Sequence, residues 1–121
     1  MSGTTERGRY YLEVTPDPNP VPFQEFVTIR VRVHAADDRD SPLEGAELNQ
    51  FRARMPAHDH GLKTDPTVER IGPGEFVLKG VRFHMRGRGE DGHWTLEFVV
   101  DGPRGLDTAT FDLQCCRLTD D

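Results

Sequence analysis

The stretch Val27-Thr28-Ile29-Arg30-Val31-Arg32-Val33 alternates strictly between apolar and polar side chains. Successive side chains of a strand point to opposite faces, so this pattern predicts a strand with one face in a core and the other in water. The same alternation recurs in residues 94–100 and 109–113. Half-buried strands of this kind are typical of antiparallel sheets.

Turn-forming residues separate further apolar runs on either side of this stretch. Proline alternates with other residues from position 16 to 22, an Asp/Ser/Pro cluster occupies 37–42, and Gly72-Pro73-Gly74 reads as a tight turn. No stretch shows a sustained helical period. We therefore predict seven strands, at about 9–14, 24–35, 45–55, 67–71, 75–84, 93–101 and 106–116.

Two of the predicted strands change the parity of their apolar residues part-way. Ala46 and Leu48 share one parity whereas Phe51 takes the other, and a second change falls across Gly80. A parity change of this kind predicts a β-bulge.

Seven short strands in 121 residues predict an all-β fold, an immunoglobulin-like antiparallel β-sandwich, with a closed barrel as the second choice. The length suits a single domain over residues 1–121, with a flexible N-terminus of roughly eight residues.

Composition excludes several classes of function. A net charge of −6 without a basic stripe argues against nucleic-acid binding, and no apolar run reaches the ~18 residues of a transmembrane helix. The first residues lack the apolar core of a secretory signal, so the protein is either cytoplasmic or has lost a leader. No nucleophile, phosphate-loop or zinc-protease motif occurs, and we expect no enzymatic activity.

The chain is rich in soft or borderline metal ligands, with five His, three Met and two Cys. If successive strands run antiparallel, one end of the sandwich receives Met55, the loop 56–66, the segment 84–93 and the adjacent Cys115 and Cys116. We call this end the His/Met pole. His34 is expected at the opposite end.

The densest part of this pole is Met55-Pro56-Ala57-His58-Asp59-His60-Gly61. His58 and His60 project to the same side of an extended chain and could share a metal ion. Thioether sulfur suits Cu(I), and imidazole suits copper in both oxidation states as well as zinc, so a His/Met set favours copper over zinc, calcium or magnesium. The alternative is ordinary surface histidines and core methionines. The candidate metal ligands are Met55, His58, His60, Met85, His84 and His93, with Cys115 in reserve.

Three motifs carry a family resemblance: Met55-Pro-x-His58-x-His60-Gly61, Gly80-Val81-x-Phe83-x-Met85 and Trp94-x-Leu96. Together they resemble the YtkA-like domain, related to FixH-type proteins and comparable to small copper-binding sandwiches of the CopC type. The resemblance covers roughly residues 24–113 and implies an immunoglobulin-like fold, an extracytoplasmic setting (periplasmic or membrane-anchored) and a role in copper handling or oxidase assembly. This sequence departs from the family pattern at residues 86–93, which form an insertion before Trp94.

Two hypotheses follow. The first is a copper-binding domain, a metallochaperone that holds Cu(I) or Cu(II) and exchanges it with a copper-donating or copper-accepting protein. The second is a metal-free immunoglobulin-like protein-interaction module. The adjacent Cys115 and Cys116 rarely form a disulfide with each other, because the ring is strained. Three alternatives remain open for the two cysteines. They are one buried and one exposed free thiol, a thiolate that binds Cu(I), or an intermolecular disulfide.

Overall fold

The computed structural model describes residues 1–17, 21, 24–55, 60–84 and 93–114, with only the backbone of His60, His93 and Gln114. Nine strands lie within these residues: β1 (Ser2–Thr4), β2 (Tyr10–Asp17), β3 (Phe26–Ala35), β4 (Glu47–Met55), β5 (His60–Gly61), β6 (Thr67–Gly72), β7 (Glu75–Arg82), β8 (His93–Asp101) and β9 (Asp107–Gln114). They form two antiparallel sheets, ordered β1-β2-β3-β7-β6 and β5-β4-β8-β9.

Seven of these strands correspond to the seven predicted from alternation. Lettered A to G in chain order, they are β2, β3, β4, β6, β7, β8 and β9. The sheet orders β2-β3-β7-β6 and β4-β8-β9 are then A-B-E-D and C-F-G, the arrangement of an immunoglobulin-like sandwich. The predicted all-β antiparallel sandwich is confirmed, in preference to a closed barrel.

Both predicted bulges are present. In β7, Val81 pairs with Val27 and Leu78 with Ile29, so β7 carries an extra residue beside Gly80, whose φ is 80°. In β4, Leu48 pairs with Val100 and Gln50 with Val99, which leaves Asn49 as the extra residue. Each bulge returns the apolar residues that follow it to the inner face.

Strand β2 extends three residues beyond the predicted end at position 14. Pro16 lies inside it, opposite Ile29 of β3. The short β1 pairs only with residues 11–13, so Pro16 occupies a stretch where β2 is an edge strand. The missing N–H of proline therefore leaves no ladder position unfilled.

Strand β1 lies where no strand is predicted, since the first predicted strand begins at residue 9. It pairs with β2 from Ser2 to Thr4, and the ammonium group of Met1 donates to the Val14 carbonyl at 2.8 Å. A three-residue strand has too little alternation to be detected in a sequence.

The core lies between the inner faces of the two sheets. Its largest fully buried side chains come from both sheets: Trp94, Tyr10, Phe76, Phe83 and Phe98. Burying a large apolar side chain contributes about 1.5–3 kcal/mol. Within the described ranges, no helix is long and apolar enough to cross a bilayer.

Candidate metal centre

The strand ends predicted to form the His/Met pole do lie together. Strand β8 begins at this end, and the antiparallel register pairs Thr95 with Arg54 near the end of β4 and His93 with Gln114 at the end of β9. Strand β7 ends there as well, because Phe83 packs edge-on against Trp94 with ring centroids 5.2 Å apart.

Strand β5 lies within residues 56–66, where the sequence predicts a loop, and it adds a histidine position to this end; two residues are too few for an alternation signal. It consists of His60 and Gly61, which pair with Met55 and Arg54 of β4. The chain therefore leaves β4 at Met55 and returns beside it after four residues. The register brings the backbone of His60 directly opposite that of Met55.

An aromatic cluster forms the floor of the pole. Trp94 is fully buried and contacts both Phe83 and His84, the latter edge-on with ring centroids 5.9 Å apart. The His84 side chain is half-buried, and its Nδ1 atom has no solvent exposure. His84 is thus a histidine at the boundary between the core and the surface of the pole.

Met55 is fully buried, whereas the His84 side chain is half-buried. The Met55 side chain is 0% exposed and belongs to the hydrophobic core, level with Trp94 at the end of the adjacent strand. A thioether at this depth fills core volume, and it can reach a metal ion only from beneath the surface.

The described residues contain part of the predicted ligand set. Met55 and His84 are described with their side chains, and His60 and His93 by backbone position at the starts of β5 and β8. His58, Met85, Cys115 and Cys116 lie outside the described residues. The ligand set therefore stays a prediction.

No group of three or more His, Cys, Asp or Glu side chains that could hold a metal ion occurs within the part of the chain that the structure describes. The side chains of His58, His60, Met85 and His93 lie outside that part of the chain.

One contributor to the pole was not anticipated. Gln24 adopts a positive φ of 60°, and its N–H donates to the Phe83 carbonyl at 3.0 Å, while Arg82 Nε donates to the Gln24 carbonyl at 3.2 Å. These hydrogen bonds hold the backbone at the end of β7, directly before His84. Positive φ at a residue other than Gly, Asn or Asp has no sequence signature, so no local signal could have revealed it.

His34 lies at the other end, as predicted. Strand β3 begins with Phe26 beside Arg82 and ends with His34 and Ala35 beside Tyr11 and Tyr10.

Comparison with known proteins adds no relative: no protein-family model, no curated protein and no solved structure matches this chain. The resemblance to the YtkA-like domain consequently continues to rest on the three motifs alone.

Proposed function

We propose that this protein is a copper-binding domain that carries its metal at the His/Met pole and exchanges it with a partner protein in an extracytoplasmic setting. The register of β4 and β5 is the observation that carries the proposal. It pairs Met55 with His60 at the end of the sandwich where β8 begins with His93 and where His84 follows β7.

The donor chemistry supports copper over other ions. Imidazole and thioether are borderline and soft ligands, and together they suit Cu(I) better than they suit calcium or magnesium. His58 and His60 are the proposed imidazole ligands and Met55 and Met85 the proposed thioether ligands, with His84 and His93 as further donors. In this proposal the domain binds and transfers metal and is not an enzyme.

The rigid sandwich supports such a role. Met55 and His84 lie beside the fully buried Trp94, so part of the donor set is attached to the core. His58 falls in the sequence between β4 and β5, His60 begins the two-residue β5, and Met85 falls between β7 and β8. Loops held by a rigid scaffold commonly carry binding residues.

Anaerobic titration with Cu(I) against a chromophoric Cu(I) chelator tests the proposal. The wild-type protein is expected to bind one equivalent. The variant His58→Ala/His60→Ala is expected to lose more than about a hundredfold in affinity, because changing residues that only support a ligand already costs about 10–100-fold.

Asp59→Ala is the matched control, since it alters the residue between the two histidines and removes a carboxylate, a poor ligand for Cu(I). It is expected to keep wild-type affinity. Absence of stoichiometric binding in the wild-type protein, or equal affinity in the double variant, would contradict the proposal.

Met55→Leu separates a ligand from a core residue. The exchange conserves volume and costs less than about 1.5 kcal/mol, so the sandwich is expected to stay folded. A lower Cu(I) affinity at unchanged secondary structure supports coordination by the buried thioether. Unchanged affinity assigns Met55 to packing alone.

A metal-free interaction module is the second candidate, and an exposed sheet edge favours it. Strand β6 is at the edge of the five-stranded sheet, and it leaves Val68 39% and Ile71 56% exposed. Edge strands with exposed apolar residues are sites at which another chain can add a strand. If the wild-type protein does not bind copper in the titration, the interaction module becomes the favoured function.

A further inference from the structure

His34 is buried on the outward face of a sheet, where Arg30 and Arg32 of the same strand are exposed. Val33 belongs to the core, so the next side chain points away from it, yet His34 is only 1% exposed. Residues 36–43, here called the latch segment, account for this burial. The N–H of Leu43 donates to the Val33 carbonyl at 2.7 Å, and the Ser41 carbonyl lies against the imidazole.

Both ring nitrogens of His34 lie close to oxygen atoms that can only accept, but only Nδ1 has hydrogen-bond geometry; the buried Nε2 is at ion-pair distance from a carboxylate and has no hydrogen-bond partner among the described residues. Nδ1 lies 2.9 Å from the Ser41 carbonyl oxygen, and Nε2 lies 3.2 Å from Oε1 of Glu13 on β2. A carbonyl and a carboxylate can only accept. The neutral imidazole has a single N–H, so either tautomer directs a lone pair at one of the two oxygens. Only the imidazolium can donate to both.

We propose that His34 is a pH-dependent latch that holds residues 36–43 against the outer face of the sheet when it is protonated and releases them when it is neutral. Histidine is the side chain whose charge ordinarily changes between about pH 5 and pH 8. The hydrogen bond that Nδ1 donates to the Ser41 carbonyl of the latch segment is then charge-assisted, which makes it roughly twice as strong as a neutral one, and Nε2–H forms an ion pair with Glu13.

Some of the surroundings of His34 disfavour the positive charge of a protonated imidazole, and others favour it. Burial opposes it, and so does the Arg39 guanidinium of the latch segment, which lies 4.1 Å from the centre of the Tyr11 ring; that ring is 6.0 Å from the imidazole. The Glu13 carboxylate favours the charge.

Arg32 and Glu75, one position further along the same face, form an ion pair at 3.2 Å, and Asp37 of the latch segment pairs with Arg104 at 2.9 Å. The other carboxylates of the latch segment include Asp40 and Asp38, and an Asp38 oxygen accepts from the Asp40 N–H at 3.3 Å. Within the described residues, Glu13 is therefore the carboxylate that contacts the His34 ring.

Amide hydrogen exchange of the full chain tests the latch, with rates corrected for the intrinsic effect of pH. The reporters are the N–H groups of Leu43 and Asp38, bonded to Val33 and Ala35. Their protection is expected to fall about tenfold or more between about pH 5.5 and pH 8, because a hydrogen bond to a charged group contributes at least one order of magnitude. The Gly8 amide, in a turn outside the latch segment, is expected to change little.

His34→Gln is expected to abolish this pH response, since glutamine does not titrate. Glu13→Gln is expected to weaken it and, because the Glu13 side chain is 40% exposed, leaves the fold intact if the histidine variant does not. Glu75→Gln removes a similarly exposed carboxylate from the same face and is expected to keep the wild-type response.

Nitrogen chemical shifts of the His34 ring supply a second readout. Both ring nitrogens are expected to carry protons at the lower pH and only one at the higher. A ring that is neutral at both pH values, or a response that Glu13→Gln leaves unchanged, would overturn the proposal.

Discussion

At the scale of single residues, one buried carboxylate joins the two ends of the chain. Asp107 is 4% exposed, and its oxygens accept from the backbone N–H of Arg7 at 3.0 Å, of Arg9 at 3.3 Å and of Thr108 at 2.9 Å. Burial by itself raises the pKa of this carboxyl. The hydrogen bonds that it accepts outweigh burial and hold the pKa below the usual value of 3.8.

Asp107→Asn is expected to destabilise the protein by about 1–3 kcal/mol at pH 7, because the amide leaves some of these N–H groups without an acceptor. The folded-state pKa is lowered, so this stability is fully present above the unfolded value of about 3.8 and is lost as pH falls through the folded value. Urea unfolding of both proteins is thus expected to show a gap that narrows below about pH 5.

Asp101→Asn provides the matched control. It removes one carboxylate from an exposed position on β8, and its effect is expected to stay within about 0.5 kcal/mol. A constant gap between Asp107→Asn and the wild type from pH 7 to pH 3 would contradict this account.

At the scale of elements, the turn between β6 and β7 is held against the last part of β3 and against Leu43 in the connection between β3 and β4. Gly74 has a φ of 65°, and its carbonyl accepts from Val33. A Cβ atom at this position would lie 2.8 Å from the backbone nitrogen and oxygen of Leu43 and 2.9 Å from the Val33 oxygen. Backbone atoms cannot move aside as a side chain can, so glycine is required here.

Gly74→Ala is therefore expected to cost about 2–5 kcal/mol, the sum of roughly 1–2 kcal/mol for the left-handed backbone and 1–3 kcal/mol for the close contacts. Gly8→Ala has a similar φ of 71° with open space around it, so only the first part applies, about 1–2 kcal/mol. Chemical denaturation measures both. Equal losses would show that the close approach to Leu43 does not matter.

At the scale of the whole molecule, stability depends on aromatic packing between strands that are distant in sequence. Phe98 of β8 is fully buried, and its ring lies 5.1 Å from that of Phe51 on β4 and 5.8 Å from that of Phe111 on β9. One side chain thus contacts both neighbouring strands of its sheet.

Phe98→Ala is expected to lower the free energy of unfolding by about 3–5 kcal/mol, through lost burial and the cavity that it leaves. Phe26→Ala removes the same ring from a position that is 66% exposed and is expected to change stability by no more than about 0.5 kcal/mol. Guanidinium unfolding compares the two. Similar losses would contradict a stabilising role for the burial of Phe98.

Much of the sandwich could be predicted because its signals are local. Residues 27–33 identify β3 by alternation, and the parity change at Gly80 identifies the bulge of β7. The prediction that the ends of β4, β7, β8 and β9 share one pole needed only the count of strands and their antiparallel order. These features follow from the two-residue period of side-chain direction in a strand and from the turn residues between strands, and both can be read locally in the sequence.

The candidate site could be predicted only in outline. His58-x-His60 and Met55 are visible as a motif, but the complete burial of Met55 beside Trp94 is not, since parity alone cannot tell how deep an inward side chain lies. The turn at Gln24, which holds the backbone directly before His84, also has no sequence signal.

By itself, then, the sequence determined seven of the nine strands, their inward faces and the strand ends that meet at the His/Met pole. Only the tertiary structure decided that His34, outward by parity, is buried between Ser41 and Glu13, and that Asp107 binds backbone groups about a hundred positions earlier. The physical reason is range. Alternation and turns are encoded within a few neighbouring residues, whereas these hydrogen bonds exist only once the strands have been brought together by the shared core.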